Sequence, residues 1–185
     1  EMKVFKWAYF SILLQFNLLT FGQNLVPNPD FELYSSCPPS YSTLSLAIGW
    51  VQPTQGTSDF LDTCATPFSN ADVPLNWFGS QTPYNGGGYA GLYAFYIFNY
   101  SYREYIQAQL NSPLVVNKKY YISCRVSLAD SSKYATDDLG IYISQNSVGA
   151  VHDSALLFIP QVANPQNQFI NNKTSWKRIF GSYTA

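Results

Sequence analysis

Residues 119–130 read KYYISCRVSLAD, and this segment decides the fold class. Its side chains alternate with a period of two, which is the signature of a β-strand with one buried face. One set of alternating residues consists of Tyr120, Ile122, Cys124, Val126 and Leu128. The set that faces the other way consists of Tyr121, Ser123, Arg125, Ser127 and Ala129.

The same alternation extends outward to other segments. It is found in residues 103–110, 139–144 and 176–185, while residues 89–96 form a further strand candidate. Gly, Pro and Asn turns separate these segments, and no long helical period interrupts them. We therefore expect an all-β fold, an antiparallel β-sandwich. The last predicted strand stops at Ala185 without a closing turn, from which we expect a domain truncated at its C-terminal end.

The composition excludes several classes of protein. The chain has 185 residues, of which 11% are charged and 17% aromatic, with a formal net charge of -1. Disordered chains have few aromatic residues and a high net charge. This chain has many aromatic residues and almost no net charge, so we do not expect it to be disordered. No basic excess is present to neutralise phosphates, so nucleic acid is not an expected partner. The abundance of Tyr, Phe, Thr, Ser, Asn and Gly favours strands and turns over a helical bundle.

The N-terminal residues have the order of a secretory signal peptide. Lys3 and Lys6 follow Met2, an apolar stretch runs from residue 7 to 19, and small residues lie near a cleavage point at Gly22 or Gln23. The alternative is a membrane anchor, but polar interruptions make the apolar stretch short for a span. We expect a signal peptide over residues 1–22, one β-sandwich domain over 23–185, and export of the protein. Because Glu1 precedes Met2, we expect the chain to be a translated fragment.

Export permits disulfide formation, and the chain has three cysteines. Cys37 and Cys64 both lie in loop-like sequence, whereas Cys124 lies in the alternating strand. We expect a Cys37–Cys64 bridge with Cys124 as a buried free thiol. The other pairings stay open, because connectivity cannot be deduced from spacing alone.

Aromatic residues are concentrated between residues 77 and 102, and rings of this kind stack on sugar faces. The expected ligand-binding residues are Trp77, Tyr84, Tyr89, Tyr93 and Arg103. Trp77 and Tyr84 lie in loop-like sequence and are the better candidates for exposed rings. The alternative is that the rings pack the core or cover the sheet, as aromatic residues commonly do in strands.

A series of short motifs carries a family resemblance. It comprises NLVPNPDFE (24–32), Gly49-Trp50, GTSDF (56–60) with Cys64, Val73-Pro74, GYAG (88–91), Glu104-Tyr-Ile106, Leu110 with Pro113-Leu114, residues 120–130, and Trp176 with GSYTA (181–185). Together they resemble the N-terminal jelly-roll domain of exported Bacteroidota surface proteins, of the OmpA-family or gliding-associated type. The opening motif and Gly49-Trp50 are also similar to galactose-binding-like carbohydrate-binding modules.

The resemblance implies further features. It implies a jelly roll, a periplasmic, outer-membrane-associated or cell-surface location, and downstream domains of the same polypeptide as partners. Related modules hold a structural calcium near the opening motif, which assigns Asp30 and Glu32 as metal ligands. The alternative for Glu32 is that it caps a turn.

The expected function is non-catalytic recognition at the cell surface, with a glycan or cell-envelope polysaccharide as ligand. A structural or adhesive spacer domain is the second interpretation. A secreted hydrolase is the third, and it needs two carboxylates facing each other across a substrate. Asp59 and Asp62 lie in a long irregular segment over residues 53–74, and the sequence identifies no such pair.

Overall fold

The computed structural model describes residues 22–96, 98–99 and 101–185. The predicted signal peptide therefore lies, except for Gly22, outside the described residues. The strands are β1 (Trp50–Val51), β2 (Asp59–Asp62), β3 (Leu75–Asn76), β4 (Gly79–Ser80), β5 (Gly88–Gly91), β6 (Gln107–Ala108), β7 (Lys119–Val126), β8 (Gly140–Ile141), β9 (Val162–Ala163) and β10 (Lys177–Thr184). One 3-10 turn, Leu44–Leu46, precedes β1. In the described ranges no helix has the length and apolar character needed to cross a membrane.

The strands form antiparallel pairs. The pairs are β1–β6, β2–β5, β3–β4, β7–β10 and β8–β9. The predicted all-β, antiparallel fold class is thus confirmed, and the layout is consistent with a β-sandwich. The finer jelly-roll connectivity stays a prediction.

The β7–β10 pair is the longest, and it confirms the alternation in residues 119–126. Its register runs from Lys119 opposite Thr184 to Val126 opposite Lys177. The outer face consists of Lys119, Tyr121, Ser123, Arg125, Arg178, Phe180, Ser182 and Thr184, all exposed. The inner residues Ile122, Cys124 and Val126 pack against a buried cluster of Val162, Ile170 and Ile179. Each fully buried isoleucine of this kind contributes about 1.5–3 kcal/mol.

A second core lies around β2, where the sequence predicted only an irregular loop from residue 53 to 74. All four residues of β2 are buried, and β2 pairs in register with β5. Leu61 packs with Ala65, Ala71 and Val73, and Phe78 and Tyr89 cover this cluster. A strand buried on both faces shows no polar–apolar alternation, so the period that revealed β7 is missing here.

The predicted Cys37–Cys64 disulfide is confirmed, with the two Cα atoms 5.5 Å apart. It joins the segment before the 3-10 turn to the residues that follow β2. Cys124 is a free thiol, as expected, and it is half-buried on the inner face of β7. Burial raises the pKa of this thiol, which keeps it protonated at neutral pH.

Candidate functional site

The β3–β4 hairpin presents an aromatic pair at its tip. Its register, Asn76 opposite Gly79, leaves Trp77 and Phe78 as the two turn residues. The Asn76 side chain accepts a hydrogen bond from Phe78 N at 3.0 Å, which closes the turn. Gly79 has a φ of 129°, a conformation that favours glycine. Trp77 is 66% exposed as a result.

The hairpin is fixed to the loop that follows β7. Asp130 Oδ2 accepts a hydrogen bond from Ser80 N at 2.8 Å. A Cβ atom on Gly79 would overlap the Asp130 side chain and lie 2.7 Å from its Oδ2. Glycine is therefore required at this position for two reasons, its backbone conformation and the close approach of Asp130. The position of Trp77 depends on both.

A cavity of about 210 Å³ lies beside the hairpin tip. It is lined by aromatic side chains, small hydroxyl residues and two acids, namely Tyr41, Ser42, Thr57, Asp59, Trp77, Phe78, Tyr93 and Glu104. The Tyr41 and Trp77 rings are both exposed, with centroids 6.5 Å apart and planes tilted by 42°. Phe78 packs edge-on against Tyr93 at 6.2 Å. We call this set the aromatic pocket.

Asp59 is a buried carboxylate in the aromatic pocket, 3% exposed. Ser42 N donates to its Oδ1 at 2.6 Å, and the described residues give this carboxylate no other hydrogen bond. Burial raises the pKa of Asp59 to about 7, the Ser42 hydrogen bond opposes this shift, and the negative charge of Glu104 adds to it. Asp59 is thus an acid that exchanges its proton near neutral pH.

Glu104, equally buried, is held by four hydrogen bonds. Its Oε1 accepts from Thr57 N and Thr57 Oγ1, both at 3.0 Å, and from Tyr102 OH at 2.5 Å. Its Oε2 accepts from Tyr93 N at 2.7 Å. These contacts join three separate segments at the pocket wall. Glu104 therefore positions the backbone that carries Tyr93 as well as lining the cavity.

The structure separates the residues that the sequence grouped as ligand-binding. Trp77 and Tyr93 meet at the aromatic pocket. Tyr84 lies elsewhere, under the guanidinium of Arg125 on the outer face of β7–β10.

Tyr89 packs in the core around β2, where burial raises its pKa to about 12, and its hydroxyl accepts a hydrogen bond from Asn76. Arg103 stacks on Phe95 and donates to the Tyr102 carbonyl.

Tyr41, Asp59 and Glu104 are pocket residues that the sequence did not identify. Asp59 precedes Phe60-Leu61, and Glu104 precedes Tyr105-Ile106, so each acid adjoins an apolar pair. In a chain with only 11 acidic residues, an acid within an apolar segment is a signal of a buried polar function. Tyr41, in a Ser/Pro/Tyr loop, carries no comparable signal.

Asp30 and Glu32, the predicted calcium ligands, bind the turn before β5. Asn85 Nδ2 donates to Asp30 Oδ2 at 2.9 Å, and Gly87 N donates to Glu32 Oε1 at 2.7 Å. Within the described part of the chain, no group of three or more His, Cys, Asp or Glu side chains is arranged to hold a metal ion. Because calcium also takes backbone carbonyl and water oxygens as ligands, the assignment of Asp30 and Glu32 to a calcium site stays a prediction. The contact of Glu32 agrees with the alternative, that it caps a turn.

A wider cavity of about 620 Å³ lies between residues 52–55 and 149–152. Its lining contains His152 but neither a carboxylate nor a Tyr, Trp or Phe ring. His152 Nδ1 accepts a hydrogen bond from Ser154 N at 3.2 Å, within its own loop. This cavity therefore lacks the groups that make the aromatic pocket chemically distinctive.

The chain matches no protein-family model, no curated protein and no solved structure. The resemblance to surface jelly-roll domains consequently stays a prediction.

Proposed function

We propose that this protein is a non-catalytic, exported recognition module that binds a carbohydrate in the aromatic pocket. The observation that carries the proposal is the exposed Tyr41–Trp77 pair at a cavity lined by two buried carboxylates. Aromatic rings offer apolar faces to the C–H surface of a sugar, while carboxylates accept hydrogen bonds from its hydroxyls. The ligand class is a glycan, such as a cell-envelope polysaccharide.

Two further observations support this proposal. A spacer domain would pack its rings in the core, yet Trp77 projects from a hairpin tip that Asp130 fixes in place. The Cys37–Cys64 bridge fits an oxidising compartment, as expected for an exported protein in the periplasm, at the outer membrane or on the cell surface.

The test is titration of the protein with neutral oligosaccharides, followed by tryptophan fluorescence and calorimetry. We expect saturable binding that Trp77→Ala weakens about thirtyfold or more, since a hot-spot aromatic residue contributes at least about 2 kcal/mol. Leu157→Ala is the control, because it removes an exposed apolar side chain outside the pocket. Absence of binding to every oligosaccharide, or equal binding by Trp77→Ala, would favour the spacer interpretation.

Glycoside hydrolysis is a second candidate, favoured by one observation. Asp59 has a pKa of about 7 and shares the aromatic pocket with Glu104. A protonated acid opposite a carboxylate is the pairing that this reaction uses. Steady release of reducing ends that Asp59→Asn abolishes would establish hydrolysis. Binding of oligosaccharides without release of reducing ends would support recognition without catalysis.

A further inference from the structure

The outer face of β7–β10 concentrates positive charge. Lys119, Arg125 and Arg178 lie on it, and none of its eight residues is acidic. The whole chain, by contrast, has a formal net charge of -1. The three cations along this sheet face are therefore a local excess of positive charge that the overall charge conceals.

Two of these cations occupy an unfavourable arrangement. Arg125 and Arg178 are direct cross-strand partners, and both are exposed on the same face. Like charges directly opposite each other destabilise a strand pair. A pairing that destabilises the strands in this way is expected where the function of the protein requires both charges. An anionic ligand that spans both guanidinium groups would neutralise the repulsion.

Aromatic rings accompany the cations on this face. Arg125 lies over Tyr84 at 4.2 Å, Arg178 over Phe180 at 5.0 Å, and Lys119 over Tyr121 at 5.8 Å. Tyr121 is 83% exposed and Phe180 66%. Stacking orients each guanidinium while leaving its N–H donors available for a carboxylate or sulfate.

We propose that the outer face of β7–β10 binds an anionic polysaccharide, at a site distinct from the aromatic pocket and independent of it. The row from Lys119 to Arg125 is about 20 Å long, so it contacts several sugar residues of an extended chain. Carboxylate or sulfate groups bind Arg125 and Arg178, and sugar faces pack on Tyr121 and Phe180. Rings distinguish this surface from one that attracts anions by charge alone.

Calorimetry with three polymers of one backbone tests the proposal. Dextran is the neutral probe, carboxymethyl dextran supplies carboxylates, and dextran sulfate supplies sulfate esters. We expect the protein to bind at least one of the anionic polymers and not dextran, with affinity falling as salt rises from about 50 to 300 mM. The two anionic polymers then distinguish carboxylate from sulfate recognition.

Two pairs of substitutions locate the site. Arg125→Gln with Arg178→Gln is expected to weaken binding about tenfold or more, by loss of charge-assisted hydrogen bonds. Lys133→Gln with Lys177→Gln changes the net charge equally but leaves the outer face intact, because Lys177 donates to the Gln168 carbonyl on the other side of β10. Circular dichroism verifies that each variant folds. Equal losses in both pairs would overturn the assignment.

Ring and pocket variants complete the test. Tyr121→Ser is expected to weaken binding several-fold at unchanged charge, whereas Trp77→Ala is expected to leave it intact. A loss with Trp77→Ala would place the anionic polymer in the aromatic pocket and overturn the separate site. Two results would show that the surface attracts anions by charge alone and would contradict a polysaccharide site. One is binding of duplex DNA as tightly as of the anionic dextrans, and the other is no effect of Tyr121→Ser.

Discussion

Arg125 and Arg178 face each other across the β7–β10 pair, as register partners on its exposed side. Each guanidinium lies over an aromatic ring, Tyr84 for Arg125 and Phe180 for Arg178. The arrangement costs stability through repulsion but orients two cations toward solvent. It is the feature on which the proposed anionic site depends.

The first prediction concerns the free energy of unfolding in the absence of ligand. A double-mutant cycle with Arg125→Gln and Arg178→Gln is expected to give an unfavourable coupling of about 0.2–1 kcal/mol. Either substitution relieves the same repulsion, so the double variant gains less than the sum of the single gains. Urea unfolding at low salt measures the coupling, which is expected to shrink at high salt because the charges are exposed. A favourable coupling would contradict the repulsion.

The second prediction concerns Asp59 and pH. Its pKa rises from 3.8 to about 7 on folding, so the native protein binds more protons than the unfolded chain between these values. Stability should therefore fall as pH rises from 4 to 7, and the full cost is present above pH 7. Asn resembles the protonated acid and still accepts the Ser42 hydrogen bond. Asp59→Asn is expected to stabilise the protein by about 2–4 kcal/mol at pH 8 and little at pH 4.

Urea unfolding at both pH values measures this difference. The control is Asp138→Asn, since Asp138 is exposed and its substitution changes the net charge equally. An equal effect of Asp59→Asn at pH 4 and pH 8 would show that the pKa of Asp59 does not change on folding and would contradict the shift.

The third prediction concerns the hairpin that carries Trp77. Gly79→Ala introduces a Cβ that overlaps Asp130 at a φ of 129°, so we expect destabilisation by about 1–3 kcal/mol and weaker oligosaccharide binding. Gly149→Ala is the matched control, because its Cβ would meet its nearest neighbour, Pro53 O, at 3.9 Å. Thermal unfolding and titration measure the two effects. Equal behaviour of the two variants would argue against a tightly fixed hairpin.

The fourth prediction concerns the Cys37–Cys64 bridge, which closes a loop with a sequence separation of 27. Cys37→Ser with Cys64→Ser is expected to lower the free energy of unfolding by about 3–4 kcal/mol, through the added entropy of the unfolded chain. Cys124→Ser is the control for loss of a thiol that forms no bridge. Denaturant unfolding distinguishes them, and equal stability of the wild type and the double variant would contradict a stabilising bridge.

Local pattern predicted some elements better than others. The period of two identified β7 and β10 because each has one exposed and one inner face. It failed at β2, whose four residues are all buried and which has no polar face to alternate with. Of the residues predicted to bind a ligand, Trp77 and Tyr93 line the aromatic pocket. The sequence did not pair Asp59 with Glu104, because the two acids are far apart along the chain and meet only in the folded pocket.

The sequence by itself determined the fold class and the inner and outer faces of β7 and β10, because these follow from local periodicity. Only the tertiary structure decided that Asp59 meets Glu104 in one pocket and that Arg125 lies opposite Arg178. Strand register and loop packing bring such residues together across long stretches of chain. Both depend on which apolar faces bury one another, and this is determined by the packing of the whole chain rather than by any single segment.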